Sequence, residues 1–250
     1  MRLKQRAVNI LKIIPVILFW LLIWEGVSFL IQSNIIIVSP RVTFARLFEL
    51  AVTANFWQSI GTSLGRILRG FSYALCAGVV LAAFSSKIKI IERLFVPAIN
   101  VINAVPIASF TILALMAFNS SNLSIFVAFV TVLPIVFFNT MKGIESTDPQ
   151  LLEMANVFQV PVHKKIFYIY LKTLSPFVAS AATTGIGFAW KSGIAAELIG
   201  LVSGTIGFNL QIARTSLNTA NLFAWTIAIV LLSYIMEHIF RFIFNRVIKQ

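Results

Sequence analysis

Charge is scarce in this sequence: Asp, Glu, Lys and Arg make up 11% of its 250 residues, where a soluble domain carries roughly a quarter. The scarcity excludes an ordinary water-soluble fold, because the 59% of residues that are hydrophobic come in long blocks that no core of this size could cover. Cysteine is nearly absent. A lone Cys76 inside an apolar run excludes an intrachain disulfide and a CxxC metal site. The two histidines, His163 and His238, stand far apart with no acidic cluster beside them, so no metal site is expected. There is no Gly-x-x-x-x-Gly-Lys-Ser/Thr loop, no HExxH and no Ser-His-Asp arrangement at motif spacing. The chain is therefore not expected to bind ATP through a phosphate loop, and no catalytic residue and no cofactor are assigned to it. Acidic residues are few as well, 8 against 20 Lys and Arg, for a net charge of +12. A nucleic-acid binder clusters such charge on a soluble face, whereas here it flanks apolar blocks, as topology signals do.

What the chain does have is a series of apolar segments, at about 10–31, 63–85, 94–117, 122–141, 167–190 and 221–240. Each is long enough to cross the ~30 Å hydrocarbon core of a bilayer. Six spans predict an all-α, multi-pass membrane protein forming one membrane domain over 1–250, with its core at about 60–245. In the second segment, Arg66 and Arg69 fall in the first turns. The N-terminal Arg2, Lys4 and Arg6 lead into an apolar run as in a signal peptide, but Ile13 to Ile31 is long enough to span and no small-residue cleavage site follows. This run is read as a retained first helix, with Glu25 in its outer half. Basic residues set the orientation. Arg2, Lys4, Arg6 and Lys12, then Lys87, Lys89 and Arg93, then Lys142, Lys164, Lys165 and Lys172, and last Arg241, Arg246 and Lys249, all fall on one side of a six-span chain. Fewer, Arg41, Arg46 and Arg214, fall on the other. Both termini and two basic loops are thus expected in the cytoplasm.

Ser39-Pro40 breaks the chain after the first span, and Val42 to Gln58 has the mixed polarity of an amphipathic helix at the outer interface. The longest cytoplasmic stretch, about 143–172, has structure of its own. Ser146-Thr147-Asp148-Pro149 supplies capping residues and a proline for the first helical position. Leu151, Leu152, Ala155 and Phe158 follow at helical spacing, with Glu153 among them. Pro161 disfavours helix at Val160 and opens a second helix. Such a pair of short helices either lies at lipid headgroups or fits a groove on another protein.

Leu152-Glu153-Met154-Ala155-Asn156-Val157-Phe158, followed by a turn, a second amphipathic helix and Pro176, resembles the EAA loop of ABC-importer permeases. The family pattern is Glu-Ala-Ala, a glycine four residues on, and a later Ile-x-Leu-Pro. Glu153 and Ala155 match its first and third positions, Met154 replaces the second and Gln159 stands at the glycine. Ile169-Tyr170-Leu171 fits Ile-x-Leu, with Lys172 in place of the proline. Without the glycine, the turn is expected to be made by other residues. Four more segments resemble the nitrate/sulfonate/taurine branch of that family. They are Val38-Ser39-Pro40-Arg41-Val42, Ser63-Leu64-x-Arg66-x-x-x-Gly70-Phe71, and Pro97 with Pro106-Ile107-Ala108 at the start of the third helix. The fourth is Gly187-Phe188-Ala189-Trp190-x-x-x-Ile194-Ala195-Ala196-Glu197 with Gly204-x-x-Gly207-x-x-Leu210.

The resemblance implies a type I ABC importer permease (MetI-like) fold with a cytoplasmic coupling-helix loop. Leu152, Glu153, Ala155, Phe158 and Gln159 would belong to that loop, with Ala155 and Phe158 on the apolar face that enters an ATPase cleft. Its implied partners are a cytoplasmic ABC ATPase subunit, which binds the ATP, an extracytoplasmic substrate-binding protein and the lipid bilayer of a bacterial inner membrane. The cargo it implies is a small anion such as sulfonate, taurine or nitrate, or a vitamin or vitamin precursor. One chain has too few helices to surround a path, so a second copy related by two-fold symmetry is expected, making a homodimer.

Lys191, Glu197 and Glu25 are the charges placed at membrane depth, where each is costly unless paired or wet. Lys191 and Glu197, six residues apart, lie on different faces of a helix, which argues against a direct pair. They either border the translocation path or lock helix packing, through one another, Glu25 or backbone groups. Trp190 is either a core or interface aromatic or part of the substrate lining. Arg66 and Arg69 either attract an anionic cargo or snorkel to headgroups. Gly70, Ala74, Ala77 and Gly78 permit close helix contact. The rival from another class is an ion-coupled secondary transporter, which would show broken helices and paired repeats; neither is legible in the sequence. A membrane-embedded enzyme lacks a catalytic cluster.

Overall fold

A computed structural model describes residues 2–33, 35–117 and 119–248; Lys249 of the basic tail lies outside the described residues. Among these the regular structure is helical throughout. In chain order it runs α1 Arg2–Ile31, α2 Pro40–Ala51, α3 Ala54–Lys87, α4 Lys89–Ala104, α5 Ile107–Ala117 and α6 Ser120–Glu145. The short α7 Pro149–Val157 and α8 Val162–Lys165 follow, then a π-helical turn Ile166–Tyr170, α9 Leu171–Ile199, α10 Ile206–Thr215 and α11 Thr219–Ile248.

Four of these helices are single rods apolar and long enough to cross a bilayer: α1 over Ile14–Ile31, α3, α6 and α11 over Thr219–Phe244. The expected third span, 94–117, is not a rod. It is α4 and α5, bent by 104° at a short break. Val105 there is extended (φ −77°, ψ 131°), as a residue before proline prefers. Pro106 then opens α5 by accepting from the Ser109 and Phe110 amides. A broken helix is thus present, contrary to the sequence reading, and Pro97 sits inside α4 rather than at its start. The expected fifth span, 167–190, lies in α9, whose 29 residues reach about 44 Å at 1.5 Å per residue. Small and polar residues fill its protein-facing sides, Gly185, Gly187, Ser192, Gly193 and Glu197 among them. Two boundaries also move. The stretch 42–58 is divided between α2 and α3, and since α3 starts at Ala54, Arg66 and Arg69 lie more than three turns inside it.

The chain groups into two compact units, Met1–Trp57 with Asn209–Ile229, and Gln58–Phe208 with Val230–Gln250. In the first, Trp24 Nε1 donates to the Val38 carbonyl at 3.0 Å and Thr219 Oγ1 to the Ile35 carbonyl at 2.6 Å. Trp24 stacks on Phe223 and Phe56 packs at a tilt against Trp225, at 5.7 and 4.8 Å between ring centroids. Glu25 faces Arg41 at 4.0 Å, with Arg41 almost fully exposed.

The second unit is built on small residues. α6 and α9 run antiparallel along their length, with Gly143 against Phe177, Gly185 against Val132 and Gly200 against Leu123. A Cβ added at Gly78 of α3 would lie 2.8 Å from Val136 of α6, and one at Gly185 3.1 Å from Val132. These helices approach each other closely because no side chain separates them. Gly70 likewise abuts Ile125 and Ala128, and Ala74 is fully buried, as the small-residue spacing predicts. Phe71 of α3 meets Phe240 of α11 edge-on.

Candidate functional site

Three places in the second unit bring together residues that the sequence singled out. The first is the 143–172 loop. Asp148 caps α7 by accepting from the Gln150 amide at 2.8 Å, with Pro149 in the first turn. At the other end the Val160 amide donates to the Ala155 carbonyl at 2.9 Å and the Gln159 amide to the Asn156 carbonyl at 3.0 Å. That crossed pair is a Schellman closure, whose left-handed residue is usually glycine. Here it is Gln159 itself, at φ 50°. The expectation that other residues make the turn was therefore wrong: the position keeps the conformation and does without the glycine. Beyond Pro161, α8 runs through the π-helical turn into α9, so the loop is continuous with the core helix.

The faces of α7 also differ from expectation. Ala155 is 3% exposed, buried by its own chain rather than offered to a partner. Leu152 is half-buried and Glu153 and Gln159 are exposed. The uncovered apolar residues are Leu151, Met154, Val157 and Phe158, the last two 79% and 74% exposed. Spaced three or four apart, they form a single stripe.

The second place is a buried polar junction at the end of α9. Glu197 is fully buried, and its Oε2 accepts from Ser63 Oγ of α3 at 2.7 Å and from the Gly207 amide at 3.4 Å. Ser63 Oγ in turn accepts from the Ile206 amide at 3.0 Å. Ile206 and Gly207 begin α10, so the carboxylate sits at a helix N-terminus, where unpaired amides and the helix dipole favour negative charge. A side chain at Gly207 is excluded, since a Cβ there would lie 2.5 Å from Glu197 Cβ and from the Leu198 amide nitrogen. Arg66 lies close enough for its charge to act on Glu197. Two sequence motifs more than a hundred residues apart thus meet in one lock. Of the alternatives for Glu197, the geometry is that of packing through Ser63 and backbone groups. Trp190 is likewise fully buried in the interior of this unit.

The third place is the one face of α9 left open. Thr184, Phe188, Lys191 and Ile199 are exposed and Ala195 half-buried, while the residues around them are buried. A cavity of about 210 Å³ opens beside Thr183, Thr184, Phe188 and Lys191, walled on the other side by Glu237 and Arg241 of α11. A second, of about 280 Å³, shares Phe188 and Lys191 and continues past Ala195 and Ile199 to Ile107 and Ala108 at the start of α5. Glu237 rests against Gly187, where a Cβ would lie 2.5 Å from its Oε1. Lys191 therefore shares its surroundings with neither Glu197 nor Trp190. Its neighbours are Glu237, which sequence reasoning missed, and Arg241, which was read only as a topology signal. The available signal was a Glu and an Arg four residues apart within an apolar helix, hence on one face.

The family model described as binding-protein-dependent transport system inner membrane component matches residues 74–249. A permease protein of Bacillus subtilis named for the transport of aliphatic sulfonates is 24% identical over 230 residues, covering 91% of this chain and 83% of its own length. The nitrate import permease protein of Synechococcus elongatus is 26% identical over 200 residues, covering 76% of this chain and 71% of its own. Among solved structures, a chain of a bacterial alginate ABC transporter superimposes with a TM-score of 0.64 at 13% identity, over 99% of this chain and 97% of its own. That likeness is one of fold.

Proposed function

The chain belongs to the family of binding-protein-dependent transport system inner membrane components, and on that premise we propose how this permease of an ABC importer assembles and couples. The chain acts as one permease domain, with its core at about 60–245, and two copies related by a two-fold axis form the path. An extracytoplasmic binding protein delivers the cargo, and a separate cytoplasmic ATPase binds and hydrolyses the ATP, so this chain needs no cofactor. Both termini and the 143–172 loop face the cytoplasm, which the bias of basic residues supports. The cargo is a small anion, a reading supported by the names of its sulfonate and nitrate relatives. Glu197, Arg66 and Trp190 hold the outer part of the core together, and Lys191 borders the path.

The observation that carries the ATPase reading is the stripe of Leu151, Met154, Val157 and Phe158, uncovered on a capped, Schellman-closed helix. An amphipathic helix with its apolar face outward fits a groove on a partner. The same stripe on a helix merely resting on headgroups would accept a basic residue, because anionic lipid attracts it. Phe158→Arg separates the two. Phe158 is too exposed for the change to disturb the chain's own packing, whereas Ala155 is not. With membrane abundance matched, recovery of the ATPase by the variant should fall at least tenfold, as for an aromatic hot spot worth ~2 kcal/mol or more. Equal recovery would assign α7 to the lipid surface.

A further inference from the structure

α9 is covered on every side but one, and the uncovered stripe carries its only cation, Lys191, in the helix beyond its first turn. Across the cavity, α11 contributes Glu237 and Arg241 from the same face of its helix. Among the described residues, none of the three carries an ion pair or a side-chain hydrogen bond. Lys191 lies about 12 Å from the outer end of α9, taking 1.5 Å per residue over the eight that follow it, well within the membrane. Charged groups at such depth are costly unless they face water or a ligand. The cavity therefore has to be wet, or filled by something polar.

Its chemistry is divided. One part holds the two cations, the single carboxylate and the hydroxyls of Thr183 and Thr184. The adjoining part, beyond Phe188, is walled by Ala195, Ile199, Ile107 and Ala108. Two cations against one carboxylate leave a net positive site, with apolar wall starting immediately beside it. The combined space is of the order of small-ligand pockets, ~300–1,000 Å³. We infer that this is a binding site for a small organic anion, its carboxylate or sulfonate held between Lys191 and Arg241 and its hydrocarbon part laid against Phe188 and the apolar wall. Glu237 tempers the attraction, so that the anion is drawn in but not retained. A path must release what it binds, and two uncompensated cations in a low-dielectric setting would hold an anion tightly. The inference rests on the permease reading above and names the residues that meet its cargo.

The test uses full-length chain in membranes, with Cys76 replaced by alanine and a reporter cysteine at Thr184. The probes are two methanethiosulfonates of similar size, one carrying an ethylsulfonate and the other an ethyltrimethylammonium group. In each, the cysteine thiolate displaces methanesulfinate to form a mixed disulfide, and the sulfonate probe is itself a small organic anion. Each rate is divided by that of a small free thiol. The sulfonate probe is expected to be favoured at least tenfold over the ammonium probe. Lys191→Gln and Arg241→Gln should each reduce that preference, and Glu237→Gln should raise it. Butane-1-sulfonate in excess should slow labelling, and butylammonium should not. Equal normalised rates for the two probes, or no labelling by either, would overturn the site. Should Thr184→Cys fail to reach the membrane, Phe188→Cys on the next turn carries the same measurement. ATPase recovery by the Cys76→Ala chain is scored in parallel. Labelling without anion preference but with normal ATPase recovery overturns the site alone, whereas anion preference without ATPase recovery upholds the site and overturns the partner.

Discussion

α1 and α9 are nearly equal in length, 30 and 29 residues, yet they are opposite kinds of membrane helix. Over Ile14–Ile31, α1 has no buried residue, and it presents Phe19, Trp20, Leu22, Phe29 and Leu30 outward. α9 buries thirteen, most of them Ala, Gly or Ser with Trp190 and Glu197 among them. Lipid selects for bulk and apolarity, since a hydrocarbon solvent has nothing to hydrogen-bond. Protein neighbours select for small residues that let backbones approach. Hydropathy therefore reports most strongly on the helix that does least, and weakly on the one that carries the lock, the open stripe and the link to the 143–172 loop.

This contrast can be broken or sharpened at matched positions. The largest effect is expected at glycines. A Cβ at Gly193 of α9 would lie 2.5 Å from Ile67 Cγ1, whereas one at Gly26 of α1 meets nothing within 4 Å. Gly193→Leu should overpack the core by ~3 kcal/mol or more, and Gly26→Leu should be neutral or slightly stabilising. Thermal melts of the two detergent-purified variants decide it, and equal losses would show α1 to be packed as α9 is.

A smaller difference is expected at the carboxylates. Ser63→Ala removes the hydroxyl that donates to buried Glu197 and should cost ~1–3 kcal/mol. For Glu25 of α1, Arg41→Ala on α2 removes the exposed partner and should cost ~0–1 kcal/mol. The same melts at high salt distinguish them further, because only the exposed pair is screened.

The smallest effect should be shared. Gln32, just after α1, and Gln159, after α7 in the segment that feeds α9, both adopt φ 50°. Glycine at either should relieve the left-handed strain, stabilising by ~1 kcal/mol. Hydrogen exchange at the Val160 amide, which donates to Ala155, should slow in Gln159→Gly. No change there would mean that Gln159 pays nothing for its conformation.

Much of the 143–172 loop was legible because its signals are local. Asp148 and Pro149 are adjacent, and Pro161 restricts its own neighbour. The turn at Gln159 was not legible, because nothing in a glutamine announces a positive φ; the Schellman closure imposes it. Pro106 was noticed, but the 104° bend depends on what α5 packs against as well as on the proline. Ala155 was assigned to the docking face from its spacing, which gives neighbours along a helix but not which side the rest of the chain covers. Glu237 escaped notice because it lay inside a segment already accounted for as a span, and its meaning depends on Lys191, 46 residues earlier in the sequence.

By itself the sequence determined that this chain lives in a bilayer, that it is helical, and roughly where its apolar segments fall, though not where each helix starts, stops or bends. Those properties follow from periodicity, capping and the requirement that every backbone group in lipid be satisfied within its own segment. It also determined the family, because ordered motifs survive as strings. The tertiary structure alone decided which of the intramembrane charges are locked and which are open. Glu197 is held by a hydroxyl from α3 and an amide from α10, while Lys191, less than two turns away on the same helix, faces a cavity with Glu237 and Arg241. On a helix, six residues of separation put two charges on different faces, and whether a face meets protein or an opening is set by helices distant in the chain, which no local pattern records.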